Sequence, residues 1–318
     1  MKNSYFDNSQ PGPFRLSPWF SERPWGRRDL RPWYASTGTT KPVGEAWLTG
    51  PESVVETGVM AGQTLAAVTA ELGERLLGTG HGTEFPLLVK LLFPDDKLSV
   101  QVHPDDAHAQ TMGQPRGKTE CWYVLEAKPG ATVALGLCDG VTAGDIRAAV
   151  TGGTLEQLMK WVPVWASDMF FVDAGTVHAI GPGVVLLEIQ QACDLTFRLY
   201  DYGRSRELHV EQALRVMRTH TAAGKVEPVR MKGFTRLIVK KYFVVDRYEV
   251  GERDKVVIPI AEAGCVVCLE GAAIIETAGT QPLEMLRGQA VVIPADVGSM
   301  VVQSDTGALF VRCFAPVG

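Results

Sequence analysis

Apolar and polar positions alternate along much of the chain, most clearly from Ser99 to His103. Successive side chains of a strand point to opposite faces, so Ser99, Gln101 and His103 share one face while Val100 and Val102 share the other. Pro104 cannot donate to a ladder and closes the strand. A second strand-like run, Cys121 to Leu125, opens on Glu120, with Lys118 on the same parity. Further along, Met169 to Val172 leads through Gly175 to a returning His178, and Val184 to Gln190 leads to Asp194, Thr196 and Arg198. Helical spacing is confined to short pieces. Leu65, Val68, Leu72 and Leu76 make one stripe over residues 64–77, with Gly78 placed to end it. Residues 141–165 read as a small helical insert around Gly152 and Gly153, and 206–219 as another helix. In the C-terminal part, apolar strands are expected at 236–248, 255–259, 289–294 and 308–313. Short strands punctuated by Gly, Pro and Asp imply β-sandwiches or barrels. Residues 1–50, rich in Pro and Gly and holding Trp19, Trp25, Trp33 and Trp47, read as an irregular wrapping segment with short strands.

At 318 residues, with 46% hydrophobic and 21% charged positions, the chain is an ordinary globular one long enough for one or two cores. A net charge of −5 argues against a nucleic-acid binder. No apolar run approaches a transmembrane span, and MKNSYFDNSQPGPF lacks the apolar centre of a signal peptide. The expectation is a cytoplasmic protein without a membrane partner, its six cysteines reduced. Cys265 and Cys268 have no second pair at zinc-site spacing, and their odd separation puts the two sulfurs on opposite faces of a strand. They read as small buried hydrophobes.

What the composition leaves unexplained is the chemistry of the polar strand faces. Gln101, His103 and Glu120 make half of a plausible metal site, although a wet strand face fits those three residues equally well. Glu188, Asp194 and Arg198 lie on strands that are otherwise apolar, and burying charges unpaired is costly. A converging functional site accounts for them. Two short similarities, CWYVLE with CVVCLE and FFVDA with VVIPA, suggest an internal repeat. Under it Glu120 corresponds to Gly264 and His178 to Ser299, so a second unit would keep the framework without the ligands.

Several stretches together resemble one family. Leu16-Ser17-Pro18 through Trp25-Gly26, Gly44-Glu45-Ala46-Trp47 and Leu98 to Pro104 carry the resemblance, followed by Gly117-Lys118-Thr119-Glu120, Gly175 to Ala179, and Leu187-Glu188 to Asp201. The chain resembles the short bacterial form of the type I mannose-6-phosphate isomerases, double cupins that use zinc. The likeness covers most of the chain and thins toward the C-terminus. The Gln-Val-His-Pro stretch with its downstream Lys-Thr-Glu is specific; the Gly-Thr-Val-His turn is common to many cupins.

The resemblance implies a mainly β, double-barrel cupin with a few short helices. The catalytic unit would span 1–205, a helical linker 206–224, and a metal-free unit 225–318. It implies one Zn2+ per chain on Gln101, His103, Glu120 and His178. Arg198, Asp194 and Glu188 would be catalytic, with Asp194 orienting the Arg198 guanidinium. Lys90, Ser99 and Lys118 would surround the substrate. Ala192-Cys193 and Leu195 depart from the family pattern, which bears on the polarity of the pocket rim. The implied reaction interconverts mannose-6-phosphate and fructose-6-phosphate through a cis-enediol, which needs a base, an electrophile and cations for phosphate and oxyanion. The partner is then a small sugar phosphate, and the expected state a monomer. Mixed His/Glu ligation also suits Fe(II) or Mn(II), and thus a different sugar isomerase or an oxygenase. A non-catalytic sugar-sensing cupin would not need Asp194, Arg198 and two lysines to converge on a metal.

Overall fold

Strand alternation dictates a β architecture, and a computed structural model of the chain, describing residues 12–80 and 82–316, has one. The reading of residues 1–11 falls outside the described residues. The chain forms two antiparallel units with a double-cupin topology. In the N-terminal unit, a seven-stranded sheet and a five-stranded sheet form a sandwich rather than a closed barrel. The seven-stranded sheet centres on Glu120–Ala127, Val184–Gln191 and Leu87–Leu92, strands nearly buried along their length. The five-stranded sheet runs Phe197–Tyr200, Val100–Val102, His178–Ile180, Thr132–Leu137, Met159–Pro163.

The C-terminal unit repeats this order. Gly264–Glu276 takes the place of Glu120–Ala127, pairing with Ala290–Ile293 on one side and Ala308–Phe314 on the other, which in turn pairs with Val244–Val250. The second half of that 13-residue strand pairs instead with Leu283–Leu286 and Ser299–Ser304. Phe14–Leu16, first in the chain, pairs with Ala290–Ile293 and so completes the C-terminal sheet. One apolar core runs through both units, with Leu16, Cys121 and Phe171 packed in the same cluster as Cys265, Val267 and Val311.

Four expected elements differ in detail. The helix over 64–77 is broken into Leu65–Leu72 and Glu74–Leu77, because Gly73 adopts a φ of 52° that stops the first helix. The insert is helical at Ala143–Gly152, where Thr142 and Asp145 form a capping box, but Met159–Pro163 is a strand that covers the edge of Thr132–Leu137. The run 236–248 is a hairpin, Thr235–Val239 and Val244–Val250, turned by Lys240 to Phe243. The expected helix at 206–219 is shorter, Val210–Val216. Among the described residues no helix is long and apolar enough to cross a membrane.

Candidate metal centre and active site

Register alone brings most of the site together. In the five-stranded sheet, Gln101 stands directly opposite His178 on one side and Arg198 on the other. In the facing sheet, Glu188 stands opposite Lys90 and Trp122, and Gln190 opposite Glu120. Each sheet therefore offers a polar row to the space between them. Gly175, at a φ of 87°, donates its N–H to the His103 carbonyl at 2.8 Å and ties the His178 turn to the His103 segment.

His103, Glu120 and His178 are buried, and one donor atom from each lies within 4.8 Å of the others. The His103 Nδ1–H points at the Leu195 carbonyl at 3.1 Å and the His178 Nδ1–H at the Thr176 carbonyl at 2.9 Å. A carbonyl only accepts, so both rings carry the proton on Nδ1 and turn the Nε2 lone pair inward. There they face Glu120, at 3.6 Å for His103 and 3.4 Å for His178. His103 Nε2 and Glu120 Oε2 are buried without a hydrogen-bond partner among the described residues. Such orphaned atoms are rare and costly, and convergent imidazole and carboxylate donors suit a borderline divalent cation. Gln101 closes the fourth side, its amide 3.3 Å from His178 Nε2 and steadied by the Ser99 hydroxyl at 3.2 Å.

The electrostatics follow burial. Burial lowers His178 to about 4 and His103 well below its ordinary value, which keeps both rings neutral. Burial opposes charge on Lys118 too, but Glu120, Glu188, Asp194 and Glu45 outweigh it and hold the ammonium above its usual range. Burial raises Glu188 to about 7, helped by the neighbouring charge of Glu120. Asp194 goes the other way, because Lys90 and Lys118 more than offset its burial.

A cavity of about 430 Å³ opens in front of the cluster, lined by Lys90, Ser99, Gln101, Lys118, Glu188, Asp194 and Arg198. Every site residue expected from the sequence is thus at the cavity or directly behind it. One pairing differs. Asp194 does not hold Arg198; it binds Lys90 at 2.7 Å, and Lys90 also lies 3.7 Å from Glu188 and 4.2 Å over the Trp47 ring. Arg198 instead donates to the Glu207 carbonyl at 2.8 Å, and its buried Nε has no partner among the described residues. The reason is reach: Lys90 projects from the opposite sheet straight at the 194 loop, while Arg198 leaves its strand toward the 207 segment.

Sequence reasoning missed four charged cavity residues, Glu22, Arg23, Glu45 and Arg206. Arg23 forks onto Glu45 at 2.9 and 3.2 Å, and Glu45 also accepts from the Trp47 indole at 2.7 Å. Arg206 forks onto the buried Asp201 at 2.7 and 2.6 Å. The Gly44-Glu45-Ala46-Trp47 stretch was the one available signal, since Glu45 and Trp47 share a strand face; Arg23 and Arg206 reach the cavity only through tertiary contacts. The Cys265 and Cys268 sulfurs do lie on opposite faces, packed in two different cores.

Comparison with known proteins places this geometry. Residues 14–141 match the family profile described as phosphomannose isomerase type I, catalytic domain. The chain is 33% identical over 306 residues to the mannose-6-phosphate isomerase of Streptococcus mutans, covering 92% of this chain and 96% of that one. The crystal structure of the Bacillus subtilis mannose 6-phosphate isomerase superposes with a TM-score of 0.85 at 28% identity, covering 95% of this chain and 99% of that one. A mannose 6-phosphate isomerase structure bound with zinc and yttrium shares the fold at 15% identity, with a TM-score of 0.76 over 96% of this chain and 100% of that one.

Proposed function

The chain belongs to the type I phosphomannose isomerases and is a mannose-6-phosphate isomerase, and from that premise we propose that it works through one zinc ion held by Gln101, His103, Glu120 and His178. The observation that carries this reading is the pair of buried, unpartnered atoms, His103 Nε2 and Glu120 Oε2, facing His178 Nε2. The cations support it: Arg23, Lys90, Lys118, Arg198 and Arg206 line the cavity, which suits an anionic sugar phosphate. Bound there, the ion would supply Lewis acidity toward a sugar oxygen.

The residues divide the remaining work. Interconversion of mannose-6-phosphate and fructose-6-phosphate through a cis-enediol moves a proton between C1 and C2. Glu188 faces the cavity, is not a ligand, and takes up a proton near neutrality, so it is the group to carry it. Asp194 stays ionised and fixes Lys90. Lys90, Ser99 and Lys118 hold sugar and phosphate oxygens. Arg198 shares its wall with Arg206, and a guanidinium with a free buried N–H is suited to a developing oxyanion or a phosphate.

A coupled assay for fructose-6-phosphate, run with and without chelator beside elemental analysis, tests the reading. Chelation should abolish turnover and zinc restore it. Full activity in a protein shown to be metal-free would overturn the metal centre, and stoichiometric manganese or iron in place of zinc would overturn the choice of ion.

A further inference from the structure

The turn at 240–243 of the C-terminal unit reaches into the N-terminal unit next to the ligands. Phe243 is fully buried and its ring lies 6.4 Å from that of Phe171, while the Lys240 ammonium sits 4.5 Å over the same Phe171. Between them, the Tyr242 hydroxyl donates to Asp106 Oδ2 at 2.6 Å. The other oxygen of Asp106 accepts from the Gly117 N–H and the Gln191 amide, both at 2.9 Å. Gln191 in turn accepts from the Thr119 N–H at 2.9 Å, and the Pro104 carbonyl accepts from the Lys118 N–H at 2.9 Å. Three successive N–H groups, of Gly117, Lys118 and Thr119, are therefore pinned immediately before Glu120, the first and last of them by one small network. The packing leaves no slack: a Cβ on Gly117 would lie 2.4 Å from the Asp105 carbonyl carbon and 2.7 Å from the Asp106 nitrogen.

We propose that Tyr242, acting through Asp106 and Gln191, is a positioning residue by which the C-terminal unit sets the 117–120 segment that presents Lys118 and Glu120. The inference rests on the metal centre proposed above. The Trp122 indole holds the Glu120 carboxylate at 3.1 Å, and the approach of its backbone is set by the 117–119 contacts, where Tyr242 fixes Asp106, the side chain that joins Gly117 to Gln191. The metal-binding unit is thereby completed by a residue of the unit whose corresponding positions carry no ligands.

Tyr242→Phe removes one hydroxyl and keeps the ring. Groups hydrogen-bonded behind metal ligands are worth about 10–100-fold in affinity, and Tyr242 stands further back, so zinc Kd measured against a competing chelating dye should rise about 3- to 10-fold. The melting temperature should fall by no more than about 3 °C, as for one hydrogen bond. At limiting zinc kcat should drop while KM for mannose-6-phosphate stays put, and excess zinc should restore kcat, which a merely structural defect would not allow. Gln191→Met should act in the same direction, and the double variant should lose no more than the worse single one, because the two sit in series. Wild-type zinc affinity in both variants overturns the proposal, as does a loss that tracks melting and resists added zinc. If the unsubstituted protein binds no zinc, or His103→Ala binds it as well as the wild type, it is the metal centre that fails instead.

Discussion

In the N-terminal unit Glu188 stands between Trp122 and Lys90, and in the C-terminal unit the same register puts Arg312 between Val266 and Asp246. The two units thus set opposite charges across from each other with reversed polarity at one framework position, but only Lys90 and Glu188 pair, at 3.7 Å; Arg312 lies 3.9 Å from Glu262 instead. In the C-terminal unit both charges are taken up elsewhere: Arg236 forks onto Asp246 at 2.5 and 2.9 Å, and Arg312 lies 4.1 Å over the Phe314 ring. In the N-terminal unit Lys90 is shared by Asp194 and Glu188, and Glu188 still faces the cavity. Volume differs as well. Leu92 and Leu186 of the N-terminal unit correspond to Tyr248 and Phe310, which stack at 5.2 Å, with Phe234 a further 5.3 Å away on Tyr248. The ligand positions Glu120 and His178 correspond to Gly264 and Ser299, as each pair opens equivalent strands. A buried charge pair alone therefore does not make a site. Space in front of it and converging imidazole and carboxylate lone pairs behind it do.

The sharpest break in this comparison comes from the ligands. His103→Ala or His178→Ala should lose the metal by elemental analysis and all measurable turnover, while Ser299→Ala at the matching C-terminal position should change neither. Arg198→Ala should keep fold and metal and lose a factor of several hundred in kcat, about 3 to 4 kcal/mol of preorganised charge stabilisation. Arg198→Lys should recover little, because an ammonium does not reproduce a planar fork. A fall in kcat would assign Arg198 to the enediolate, a rise in KM alone to the phosphate.

Removing Arg312 strips a buried cation from the core and takes the partner from Glu262, so Arg312→Ala should cost about 3 kcal/mol in denaturant unfolding with kcat unchanged. Wild-type stability there would show that the buried guanidinium is idle. Tyr248→Leu, which gives the C-terminal unit the residue of its counterpart, opens a gap in the aromatic stack and should cost about 2 to 3 kcal/mol, again without touching kcat. The smallest effect is expected at Cys268→Ala: about 1 kcal/mol of stability and unaltered metal content, since its sulfur is a buried hydrophobe facing away from Cys265.

The sequence by itself determined several of the strands and which residues share a face of each. Alternation has a period of two and is a local property, so Ser99, Gln101 and His103 could be put on one face, and Lys118 with Glu120, from spacing alone. It also carried the family resemblance, and with it the expected ligands. What only the tertiary structure decided was which partner each buried charge meets. Lys90 and Asp194 are 104 residues apart, and no local pattern predicts that the lysine, and not Arg198, takes that carboxylate. Arg23, Glu45 and Arg206 entered the cavity for the same reason: their places depend on how two sheets stack and where loops return. The break at Gly73 and the turn at 240–243 also needed the packed chain, because helical and strand periodicity run through both places. Only docking against the neighbouring sheets, with Phe243 buried beside Phe171, shows where each element stops.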